Sequence, residues 1–199
     1  MKIIVICEGS TEEAIRGGLR EFIQARATSV DRIGLQTRPL DGPTVRNKLQ
    51  AIVRNCFEQP EVVGVVALTD VYPAFKSATD AKDALRRFAG TEAKRERFKA
   101  HAAQYEVEAW ILPAWDQIAK HLGAKASPPG AKPEQVNGQK PPSHHLRDLF
   151  RRAKRDFEKV TDGPRWLTGD MLAKAADSCP ELKSFLNSLL EFAGAASLT

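Results

Sequence analysis

Ile3-Ile4-Val5-Ile6-Cys7-Glu8-Gly9-Ser10-Thr11-Glu12-Glu13 decides how the rest of the chain is read. Residues 3–7 are apolar, mostly β-branched and few, the pattern of a strand buried on both faces. Ser10 and Glu13 have capping-box spacing, so a helix starts there. Ala14, Ile15, Gly18, Leu19, Phe22 and Ile23 continue it at helical intervals. Glu8 therefore falls on a strand-to-helix turn, at the carboxyl end of the first strand. In open α/β sheets that edge binds ligands. A carboxylate there is either a metal ligand or a hydrogen-bond acceptor that caps the neighbouring helix.

Strand and helix patterns alternate onward. A second strand is predicted within 33–40, and Asp41-Gly42-Pro43-Thr44 is a turn and helix start. Val45, Leu49, Ile52 and Val53 share one helical face. Residues 62–68 form another continuously apolar strand that ends at Thr69-Asp70; 78–90 read as a helix and 99–105 as a short strand. Alternation of this kind predicts an α/β fold with a mostly parallel, Rossmann-like sheet flanked by helices. Right-handed crossovers bring strands 3–7 and 62–68 together, so Glu8 and Asp70 converge on one edge. Residues 1–122 would make this core. Pro113 should divide a helical run over 106–122. Five prolines and three glycines in 123–142 mark an ordered loop or a linker. The remainder, 143–199, is a helical part expected to pack on the core, with helices over 143–157, 168–177 and 180–192.

The 199 residues carry a net charge of +5. No apolar run approaches bilayer length, and the opening residues are too few for a signal peptide, which predicts a cytoplasmic protein with no membrane partner. Cys7, Cys56 and Cys179 lack zinc or disulfide spacing and read as buried thiols. Two basic clusters stand out: Lys82–Lys99 has seven basic and three acidic residues, and Arg147–Arg165 has seven and four. Arg86, Arg87, Arg151 and Arg152 are the candidates for phosphate contact with nucleic acid, against the alternative of solvated helix faces. No phosphate-binding glycine loop, dinucleotide fingerprint or nucleophile triad is present.

Four acids bear on chemistry. Glu8, Asp70, Glu106 and Glu108 all lie at or beyond predicted strand ends. Oxygen donors of this kind suit Mg²⁺ or Mn²⁺ and not zinc. Such ions activate water and neutralise a phosphodiester under attack. Asp70 could instead cap a turn. Glu106 and Glu108 share a face if extended and diverge if helical. Lys159, just before the Asp162-Gly163 turn, could contact a phosphate or simply be exposed. His144-His145 read as surface residues beside a helix start capped by Ser143.

Cys7-Glu8-Gly9-Ser10-Thr11-Glu12 and Thr69-Asp70-Val71-Tyr72-Pro73 are arranged as in the Toprim fold of topoisomerases, bacterial primases and OLD-type nucleases. With Tyr105-Glu106-Val107-Glu108-Ala109-Trp110-Ile111-Leu112, Pro142-Ser143, Phe157-Glu158-Lys159-Val160-Thr161-Asp162-Gly163 and Ser178-Cys179-Pro180, nearly the whole chain resembles the Toprim-like domain of unknown function 4276. The resemblance implies a bacterial Toprim core with a helical C-terminal part, serving in anti-phage or restriction-like systems beside an AAA- or ABC-type ATPase. It departs from the full Toprim pattern at Tyr72, where an Asp-x-Asp pair would have its second acid, and at Tyr105, where the family has a His. Two functions follow as expectations. One is a Mg²⁺- or Mn²⁺-dependent nuclease or phosphoryl-transfer enzyme on DNA or RNA. There Glu8 is ligand or acid/base, Asp70 holds the ion with Glu106 and Glu108, and Lys159 faces phosphate. The other is a non-catalytic module that docks on the ATPase.

Overall fold

The computed structural model describes residues 1–7, 9, 11–27, 33–40, 45–137 and 140–199, with side chains at all of these except 12 and 45–47. Strand β1 (Lys2–Cys7) has no exposure from Ile3 to Cys7, as its unbroken apolar run requires. It lies between β2 (Gly34–Pro39) and β3 (Val62–Asp70), parallel to both, and β4 (Phe98–Ala103) extends the sheet beyond β3. The order is β2-β1-β3-β4. The chain first winds outward from β1 to β2 and then returns across β1 to β3. The winding direction reverses between β1 and β3, which opens a crevice at their carboxyl ends. Cys7 sits opposite Leu68, and Asp70 opposite Ala103. The expected parallel α/β sheet is the one observed.

Each face of β1 is covered by different helices. Ile3, Val5 and Cys7 pack with Ile15, Leu19 and Phe22 of α1 (Thr11–Gln24). Ile4 and Ile6 pack with Leu49 and Val53 of α2 (Val45–Phe57) and Leu85 of α3 (Ala78–Ala89). Two short 3₁₀ turns, Val107–Trp110 and Leu112–Ala114, then lead into α4 (Trp115–Leu122), so Pro113 does divide the run.

The C-terminal part holds α5 (Pro142–Arg152), α6 (Lys159–Trp166), α7 (Gly169–Ala175) and α8 (Pro180–Phe192). The helix expected to reach 157 stops at Arg152, and α6 occupies the stretch read as a turn. Leu146, Phe150, Trp166, Leu172 and Phe185 belong to the same buried cluster as Ile3 and Val5, so these helices complete the core rather than build a second one. The Pro-rich segment is ordered where described: Trp115 Nε1 donates to Ala126 O at 2.9 Å. Buried Glu134 accepts from Trp110 Nε1 and from the Glu181 and Leu182 amides that open α8. All three cysteines are buried thiols. No helix among the described residues is long and apolar enough to cross a membrane.

One buried base on edge strand β4 gives the fold a pH dependence. His101 is 5% exposed, and its Nε2 meets Ser188 Oγ of α8 at 2.9 Å. Burial, then Lys82 and Arg86 of α3 and Lys99 of β4, lower its pKa from 6.5 to about 4. The folded value lies below the unfolded one. Its contribution is therefore complete above pH 6.5 and is lost as pH falls toward about 4, a loss of roughly 3 kcal/mol at 1.36 kcal/mol per unit. Urea unfolding of wild type and His101→Gln across this window should show the steeper fall in the wild type. Parallel slopes would refute it.

Candidate functional site

Asp70 ends β3 at the crevice. Past β4 the backbone turns sharply at Tyr105, whose φ of 65° is left-handed for a residue with a side chain, a strain of roughly 1–2 kcal/mol. Tyr72 N–H donates to Tyr105 O at 2.8 Å and holds the turn. Residues 106–108 thereby fold back over the end of β3, where Val107 N–H donates to Asp70 Oδ1 at 2.9 Å. Glu108 follows, 6% exposed, in the first 3₁₀ turn. Lys159 opens α6 on the opposite side. Its Nζ lies 3.1 Å from Glu108 Oε2 and 3.7 Å from Asp70 Oδ2. It also donates to Thr11 Oγ1, at the start of α1, at 3.1 Å. Four elements distant in sequence thus place two carboxylates around one ammonium.

The charges do not balance. Burial pushes the Asp70 carboxyl up to about 7; Lys159 opposes the rise, Glu108 adds to it, the Val107 amide opposes it and Glu106 adds. Burial acts to lower the Lys159 pKa, but Asp70, Glu108 and Glu106 outweigh it and raise the value above the ordinary lysine range. Among the described residues, two carboxylates face one ammonium here.

Glu106 and Glu108 diverge, as the helical alternative had it. Both oxygens of Glu106 are engaged: Ser143 N–H donates to Oε2 at 2.9 Å and Ser143 Oγ to Oε1 at 3.1 Å. Ser143 does not cap α5; Pro141 holds that position, and the Glu106 carboxylate accepts the Ser143 amide from outside, where the helix dipole favours an anion. Glu8, Ser10 of the capping box and the Asp41–Thr44 turn lie outside the described residues. Among the described residues, no three His, Cys, Asp or Glu side chains are grouped to hold a metal ion.

The basic candidates do not join this cluster. Arg86 and Arg87 occupy the last turn of α3, and Arg86 shares a cavity with Phe98, the first residue of β4. Asp70 pairs with Ala103 at the other end of that strand, about 16 Å away at 3.3 Å per residue. Arg86 is paired with Asp83 at 2.7 Å. Arg151 and Arg152 end α5, roughly 13 Å along the axis from Ser143. They meet Asp148 and Lys125 O, respectively. His144 is exposed and His145 half-buried. A cavity of about 830 Å³ lies between α5 and the Pro-rich segment, and neither Asp70 nor Glu108 lines it.

Thr11 and Ser143 are site residues that sequence reasoning left out or gave another role. Thr11 opens the first helix at the ligand edge, which was a usable signal. The Ser143–Glu106 contact spans 37 positions and left none. With this geometry in hand, the chain belongs to the family described as domain of unknown function 4276 (DUF4276), whose model matches residues 7–190. No curated protein matches it, and no solved structure does.

Proposed function

We propose that the crevice is a divalent-metal-dependent phosphoryl-transfer site, and that the protein is a nuclease on DNA or RNA. One observation carries the reading: Asp70 and Glu108, brought from β3 and the 3₁₀ turn, set two carboxylates against a single ammonium at the switch point. Their hard carboxylate oxygens fit Mg²⁺ or Mn²⁺, with Glu8, next in the chain after β1, as the further candidate ligand or acid/base. Such an ion supplies neutralisation of phosphate charge and activation of water. The chain's own residues do the rest. Val107 N–H fixes Asp70 Oδ1 and leaves Oδ2 turned to Lys159. Thr11 Oγ1 steadies the Lys159 ammonium, which has donors left for a phosphate oxygen. The start of α1 adds the positive end of a helix dipole. The Toprim resemblance supports the same chemistry and its setting in anti-phage defence.

The second reading, a non-catalytic module docked on an ATPase, is favoured by Lys159 itself, which already pairs with both acids, and by Tyr72, an exposed aromatic at this edge. Cleavage of labelled single- and double-stranded oligonucleotides in Mn²⁺ separates the two. Asp70→Asn and Glu108→Gln should each reduce cleavage at least a hundredfold, and Glu8→Gln likewise, with circular dichroism unchanged. Activity retained in all three variants rejects the nuclease reading. In the wild type, specific Mn²⁺ binding should also raise the thermal midpoint.

A further inference from the structure

A second cavity lies beyond the edge strand, on the side of the sheet away from β2. It encloses about 270 Å³ and is lined by Lys82 and Arg86 of α3, Lys99 and His101 of β4, and Ser184 and Ser188 of α8. Three cations, an imidazole and two hydroxyls line it, and among the described residues no carboxylate does. Glu181, Asp83 and Glu191 pair with Lys82, Arg86 and Lys99 at 2.8, 2.7 and 3.0 Å, but these acids stand outside the cavity. An ammonium has three donors and a guanidinium five, so each cation keeps N–H groups beyond its outer partner. His101 is 5% exposed; Ser188 engages its Nε2, while its buried Nδ1 has no hydrogen-bond partner among the described residues. Nδ1 is closed to water, so the ring shapes the cavity by its place among the three cations rather than by a direct contact from that atom.

We propose that this cavity binds a phosphate-sized oxyanion, either free inorganic phosphate or the terminal phosphomonoester of a polynucleotide. The size argues against a whole nucleotide, since small-molecule pockets run from roughly 300 Å³ upward. Charge argues for an anion, because the three cations act on His101 with no acid opposing them. A bound oxyanion would offset their field and give the ring a reason to take up a proton. None of Asp70, Glu108 and Lys159 lines this cavity and it needs no metal, so it stands whether or not the crevice is catalytic.

The test is calorimetric titration of the full chain with inorganic phosphate in EDTA, at fixed ionic strength and neutral pH. Saturable binding is expected, weakened at least tenfold in Arg86→Gln and in Lys99→Gln and unchanged in Lys125→Gln, which lies in the Pro-rich segment. NMR of the wild-type His101 ring gives a reading that needs no variant: its signals should shift with phosphate and its pKa should rise. Competition by a 5′-phosphorylated oligonucleotide over its 5′-hydroxyl twin identifies a terminal phosphate as the guest; competition by neither identifies free phosphate, and equal competition by both, which points to backbone phosphodiesters, overturns the proposal. No saturable heat beyond that of chloride, with His101 signals unmoved at tens of millimolar phosphate, overturns the proposal. Undiminished binding in both cavity variants overturns it as well.

Discussion

Lys159→Met is expected to lower the unfolding midpoint in metal-free buffer by roughly 6–12 °C, and Mn²⁺ should restore more of that loss than it adds to the wild type. Methionine keeps most of the stem but removes the ammonium that faces Asp70 Oδ2 and Glu108 Oε2. Removing one member of a buried pair costs about 3–5 kcal/mol, because the partner charge is left uncompensated. Lys159 is 19% exposed, so water screens part of the loss and the lower end, about 3 kcal/mol, applies. In a chain of this size each kcal/mol moves the midpoint by about 2–4 °C. Asp70 already sits at about 7 with the lysine present, raised chiefly by burial and then by Glu108. A divalent ion relieves that repulsion most where the native cation is gone. Cleavage should be lost, since no ammonium remains to meet phosphate. Differential scanning fluorimetry with and without Mn²⁺ reads both parts. A wild-type midpoint in EDTA would refute the pair's structural weight, and a variant indifferent to Mn²⁺ would refute cation binding at these acids.

The sheet was legible because its strands announce themselves locally. Ile3–Cys7 and Val62–Leu68 are unbroken apolar runs bounded by turn residues, and alternation with helices leaves few topologies to weigh. Asp70 could be placed at the ligand edge for the same reason. Less could be read of how the edge is assembled. The divergence of Glu106 and Glu108 depends on the left-handed turn at Tyr105, a conformation that tyrosine does not advertise. The ordered state of the Pro-rich segment depends on buried Glu134 reaching Trp110 and the start of α8, 24 and 47 positions away. Helix α6 was hidden by Gly163 and Pro164, both helix breakers in isolation. Packing overrides them: a β-carbon at Gly163 would stand 3.2 Å from Ala14 Cβ, so the glycine lets α6 lie close against α1.

That close approach yields the sharpest contrast between neighbouring positions. Gly18→Ala should destabilise the fold by more than about 3 kcal/mol, whereas Gly17→Ala should stabilise it by up to about 1 kcal/mol, the gain of alanine over glycine in an exposed helix. Both residues lie in α1, so propensity treats them alike. Their surroundings differ. Among the described residues a β-carbon at Gly17 meets nothing within 4 Å, while one at Gly18 would fall 1.6 Å from Leu167 O and 2.7 Å from Leu167 C. Overpacking costs about 1–3 kcal/mol where side chains can yield; here the obstacle is a carbonyl, and only movement of backbone clears it. Leu167 joins α6 to α7, and α6 carries Lys159. Pushing that junction off α1 draws the ammonium away from Asp70 and Glu108. Gly18→Ala should therefore share the Mn²⁺ response of Lys159→Met, a coupling that a purely local packing defect would not produce. Urea unfolding of the two alanine variants, followed by the same fluorimetric metal titration, reads the effect. Equal stabilities would place α6 and α7 free of α1, and a destabilised Gly18→Ala with a wild-type Mn²⁺ response would uncouple that packing from the position of Lys159.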